Sequence, residues 1–101
     1  MTTSGAANWQ TIMEKQTPEL FKQVTGLREA VMTEGALSLK TKTLMTMLGD
    51  ALLAHPDGVA SIAKRARALG ASDAEIAETV GIAFLMGGLP GLVTGANAFR
   101  D

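Results

Sequence analysis

His55 is the one imidazole in a chain of 101 residues that contains no cysteine. Imidazole is the side chain best suited to moving protons near neutral pH. Two carboxylates are close enough in sequence to orient it, Asp57 just beyond it and Asp50 on the preceding helix. A His–Asp pair can act as a general acid/base unit. The competing reading is structural: a polar residue beside Pro56, solvated or capping the helix before it. Thr43 and Met47 lie four apart with Asp50 three further on, so helical spacing puts them on one face. That stripe would line a pocket next to His55, or pack against a neighbouring helix and leave Asp50 exposed. A carboxylate near a helix C-terminus is disfavoured by the dipole unless something compensates it.

Other chemistry is largely excluded. Without cysteine there is no disulfide, no thiolate metal site and no cysteine nucleophile. One histidine and scattered carboxylates provide no transition-metal site, and no cofactor motif is present. Gly87, Gly88 and Gly91 surround Pro90 but match neither phosphate-binding glycine pattern. Lys64, Arg65 and Arg67 could recognise an anion, although cations late in a helix are already favoured by its dipole and read as a solvated face. The net charge of −1, with both signs interspersed, gives no nucleic-acid footprint.

The elements that must hold these residues read as helices. Thr17-Pro18-Glu19 starts one, and Leu20, Val24, Leu27 and Val31 recur at helical spacing until Gly35. Ser38 caps the next, whose apolar residues include Leu44, Leu48, Ala51 and Leu52 and which ends at His55-Pro56. The following helix runs from about Gly58 to Leu69, buries Val59, Ile62, Ala66 and Leu69, and exposes Lys64, Arg65 and Arg67. Gly70 can stop it in a left-handed conformation, and Ser72 with Glu75 forms a capping box for the next. That helix runs from Asp73 to Met86, and a last one from near Pro90 to about Phe99. No segment alternates with period two, so the class is all-α, with about six helices in a single domain over 1–101. Residues 1–8 are expected to be mobile, with Trp9 and Met13 anchoring a short leading helix. The uncharged run Thr79–Phe99 is long enough to cross a membrane. The glycines and proline at its centre break it, so buried core or subunit interface is the expectation, and no membrane. With 47% hydrophobic residues, the chain holds more apolar surface than a small helical domain hides, which points to a homo-oligomer.

Set in order, Leu37-Ser38-Leu39-Lys40-Thr41-Lys42, then Ala68-Leu69-Gly70-Ala71-Ser72-Asp73-Ala74-Glu75-Ile76-Ala77-Glu78, then Met86-Gly87-Gly88-Leu89-Pro90 resemble the carboxymuconolactone decarboxylase family, which includes the AhpD-like alkylhydroperoxidases. The resemblance covers roughly Leu20 to Ala98. It implies an all-α bundle assembled as a homotrimer or hexamer. AhpD-like members carry C-x-x-C-x-x-x-H on the helix before the Gly-Ala-Ser turn, with a glutamate on the helix before that. Counted back from Gly70, the cysteine positions fall on His55 and Gly58, the histidine on Ile62 and the glutamate on Thr43. All four are substituted, so a thiol relay is excluded. The decarboxylase branch lacks the cysteines but keeps the histidine, and Ile62 cannot move protons.

Two functions follow from this pattern. One is a non-catalytic module that binds a small organic ligand or serves assembly. The other is a divergent enzyme using His55, with Asp50, for proton transfer on a small carbonyl or lactone substrate, or for decarboxylation, in a pocket lined by Thr43, Met47, Gly58 and Ile62. The absence of a signal pattern makes the cytoplasm the expected location.

Overall fold

A computed structural model describes residues 5–101, with side chains from residue 9 onward. Of the stretch 1–8 expected to be mobile, residues 1–4 lie outside the described residues. Among the described residues there are five α-helices and one 3-10 helix, and no strand. They form two compact units, one ending at Thr33 and one spanning Glu34–Asp101.

The first unit is a hairpin of α1 (Gly5–Gln16) and α2 (Pro18–Val31). Pro18 takes the first helical turn, as its missing N–H and fixed φ favour. Thr17 stands at the N-cap, yet its side chain makes no capping bond. Trp9 meets Phe21 edge to face at 6.3 Å, and the Arg28 guanidinium lies 5.8 Å from the Trp9 ring. The stripe read on α2 is thus only partly covered within its unit: Val24 is half-buried, while Leu20, Leu27 and Val31 are exposed.

The second unit packs α3 (Leu39–Leu52) against α4 (Pro56–Ala68) and α5 (Asp73–Gly95), with a 3-10 turn, Ala96–Phe99, closing on α4. Ser38 starts α3 as expected, its Oγ accepting from the Thr41 N–H at 3.0 Å. The core joins Met47 and Ala51 of α3, Val59, Ala63 and Ala66 of α4, and Ile76, Val80 and Ala83 of α5. Burying side chains the size of Met47 or Ile76 contributes about 1.5–3 kcal/mol each. So many alanines bring the helix axes close together. On α4, Val59 and Ala66 are buried as expected and Ala63 joins them, whereas Ile62 is only half-buried and Leu69 is exposed; Leu52, at the end of α3, is exposed too.

Both inter-helix turns of this unit use one device. At Gly70, with φ +97°, the Ala71 N–H bonds to Ala66 O at 2.9 Å and the Gly70 N–H to Arg67 O at 3.0 Å. This is a helix stop with a left-handed residue just past the cap. Ser72 Oγ then accepts from the Glu75 N–H at 3.0 Å, and Glu75 Oε1 from the Ser72 N–H at 2.9 Å, completing the capping box. At the other turn Ala54 takes the left-handed place, φ +61°, and the His55 N–H bonds to Asp50 O at 2.9 Å.

The long apolar helix α5 breaks at Gly88, with φ 68° and ψ −159°. Beyond the break the chain folds back on itself. A Cβ on Gly91 would lie 3.0 Å from the Ala83 carbonyl carbon, and one on Gly95 would lie 2.8 Å from Val80 Cγ1. Residues 91 and 95 are far from 83 and 80 along a straight helix, so these approaches require reversal. Asp73–Phe99 is long and apolar enough to span a membrane by length and composition. It does not run as one rod.

Candidate functional site

The α3–α4 turn brings a carboxylate and the imidazole together. The Schellman-type bond from the His55 N–H to Asp50 O fixes how far the chain doubles back, and Pro56 restricts His55 further. As a result Asp50 Oδ1 meets His55 Nδ1 at 2.9 Å. The Asp50 side chain is 22% exposed and that of His55 56%. Of the two carboxylates near His55 in sequence, Asp50 is its partner. Asp57 faces elsewhere and bonds to Arg100 Nη2 at 2.6 Å.

Gly58 lies in the first turn of α4 directly against the Asp50 carboxylate. A Cβ added there would fall 2.8 Å from Asp50 Cγ, and the three atoms nearest to it all belong to Asp50. Sequence spacing alone could not have found this approach, which depends on how α3 and α4 cross.

Thr43 and Met47 share a face of α3, as their spacing requires, and both are fully buried in the core. Neither side chain carries appreciable accessible surface. Thr43 Oγ1 has no hydrogen-bond partner, although Thr43 O accepts from Thr46 Oγ1 at 2.7 Å. Ile62 packs on the outside of the same core. The polar pair and the buried stripe are therefore different environments. An open groove of about 570 Å³ lies in the first unit, lined by Glu14, Pro18, Phe21, Lys22, Thr25 and Glu29.

The basic cluster divides. Lys64 and Arg65 are exposed, whereas Arg67 is half-buried, donates to Asp73 at 3.0 Å and stacks over Phe99 at 5.6 Å. Arg67 is thus a clamp between α4, α5 and the C-terminal turn rather than a solvated cation. Lys40 and Glu75, at 3.0 Å, tie the starts of α3 and α5 together. Glu75 is held ionised below the usual carboxyl range, first by the Ser72 backbone N–H and then by Lys40. No group of three potential metal ligands occurs among the described residues.

Residues 18–101 match the carboxymuconolactone decarboxylase family. The chain belongs to that family. A solved structure of a family member from Legionella pneumophila, in its apo form, is similar at 31% identity. The TM-score is 0.86, and the match covers 92% of this chain and 83% of that one. No curated protein matches the chain.

For this carboxymuconolactone decarboxylase family protein, the relay positions expected from AhpD-like members acquire physical content. The second cysteine position is Gly58, and Asp50 occupies the room a side chain there would need. The glutamate position is Thr43, buried with its hydroxyl unpaired. The histidine position is Ile62, half-buried against the core. His55, at the first cysteine position, is the one relay site with a proton-active side chain, and it is paired.

Proposed function

We propose that this protein is a self-associating family member, without thiol peroxidase chemistry, that serves as a small-molecule-binding or assembly module. One observation carries the proposal. On α5, Ile82, Leu85, Met86, Leu89 and Val93 are between 47% and 74% exposed. With Phe84 and Leu92 they present on the order of 800 Å² of apolar surface, taking ~200 Å² for a fully exposed large side chain. A specific interface takes about 800 Å² from each partner, and monomers rarely show so large a patch. The family resemblance, which implies trimers or hexamers, supports a second copy as the occupant.

Light scattering on the purified chain tests this directly. The wild type is expected as a trimer or hexamer, and Leu85→Glu with Leu89→Glu as a monomer of unchanged helical content. A wild type that stays monomeric at tens of micromolar would sink the assembly reading. A second reading, acid–base chemistry at His55, is favoured by the 2.9 Å Asp50–His55 contact.

A further inference from the structure

We propose that the Asp50–His55 pair is a general-base site that hydrolyses small neutral esters, His55 activating water and Asp50 acting as its positioning residue. This rests on the acid–base reading of His55 and is independent of the assembly reading. Three observations point the same way.

The first is the division of labour between the ring nitrogens. Nδ1 faces the Asp50 carboxylate at 2.9 Å. An ionised carboxylate only accepts hydrogen bonds, so Nδ1 is the donor and, in the neutral ring, the Nε2 lone pair is left free. No hydrogen bond to Nε2 occurs among the described residues, and the His55 side chain is 56% exposed. The second ring nitrogen thus keeps its lone pair while the tautomer is set from behind.

The second is rigidity. Main chain and side chain tie the same two residues, since the His55 N–H also bonds to Asp50 O at 2.9 Å. Ala54 is held in a left-handed conformation between them, and Asp50 is backed against Gly58. A carboxylate confined in this way keeps the imidazole in one orientation, which proton transfer requires.

The third is the surroundings, which select the substrate. Leu53 and Leu52 of the same turn are exposed, Leu53 to 67%. The charge nearest in sequence, Asp57, is already matched by Arg100 at 2.6 Å. An apolar surface whose unbalanced charge is the Asp50 carboxylate admits a neutral molecule rather than an anion. In the step itself, His55 Nε2 takes a proton from water as the water oxygen bonds to the acyl carbon. The acyl C–O bond then breaks, and the departing alkoxide takes that proton from Nε2. Ester and water become acid and alcohol, with no other reactant.

Hydrolysis of p-nitrophenyl acetate by the full chain tests the site. The wild type is expected to exceed His55→Ala by roughly 100-fold, the low end of general acid–base contributions. The rate should carry a normal solvent deuterium isotope effect, as proton transfer from water demands. Asp50→Asn is expected to lower the rate about tenfold and to shift its pH profile, because an amide no longer fixes the tautomer. Equal rates for the wild type and His55→Ala, an unchanged Asp50→Asn variant, or no isotope effect would each overturn the proposal. The ¹⁵N spectrum of the single histidine provides a readout in the unmutated protein. The Nδ1–H tautomer is expected at neutral pH, and the Nε2–H tautomer would equally overturn it.

Discussion

The carboxylate of Asp50 occupies the space in which a side chain on residue 58 would begin, so Gly58 and Asp50 cannot be varied independently. A Cβ on Gly58 would sit 2.8 Å from Asp50 Cγ and nearer still to Oδ2. Gly58→Ala should therefore destabilise the chain by about 1–3 kcal/mol, the usual range for overpacking. In an Asp50→Ala background the same change should become neutral or stabilising, since alanine is the better helix former by about 1 kcal/mol. A double-mutant cycle in urea measures the coupling, and additive effects would contradict the relationship.

The two helix stops of the second unit differ in one residue. Gly70 takes a positive φ freely, whereas Ala54 does so against its Cβ. Ala54→Gly is expected to stabilise the chain by about 0.5–1 kcal/mol and Gly70→Ala to destabilise it by roughly 1–2 kcal/mol. Thermal midpoints moving in opposite directions would bear this out. A loss of stability in Ala54→Gly would mean that the turn is not strained.

Thr43 offers a third comparison. A buried hydroxyl with no partner carries its desolvation cost unrepaid. Thr43→Val keeps the shape and removes the hydroxyl, and should stabilise the protein by about 1 kcal/mol in chemical denaturation. Destabilisation would show that the hydroxyl has a partner in solution.

Acid should weaken the chain partly through Glu75. Its carboxyl titrates below the usual value in the folded chain because the Ser72 N–H and Lys40 favour the ionised form. The unfolded chain therefore binds a proton first as pH falls. The stabilisation is complete above the unfolded carboxyl value of about 4.3 and is lost as pH drops through the lower folded value. Glu75→Gln should flatten that part of the stability–pH curve. An unaltered curve would remove Glu75 from the account.

Much of the second unit was legible because its signals are local. Ser38, Gly70, Ser72 and Glu75 act on backbone groups within a few residues, so their types and spacing suffice. The break at Gly88 was readable for the same reason. The assignments that changed concern burial. Ile62 and Leu69 read as core of α4 but lie at its margin, because alanines at 63 and 66 let the neighbouring helices approach more closely than larger residues would. Arg67 read as solvated, yet its partners Asp73 and Phe99 come from other elements.

The sequence by itself determined an all-α chain, its turns, the loss of every thiol and the survival of a single histidine, all properties of residue type and short spacing. Only the tertiary structure decided that Asp50 and not Asp57 meets His55, that Asp50 fills the room beside Gly58, and that Thr43 is buried without a partner. Those facts depend on how α3 crosses α4 and α5. A helix crossing is set by summed side-chain volumes along whole faces, which no local motif encodes.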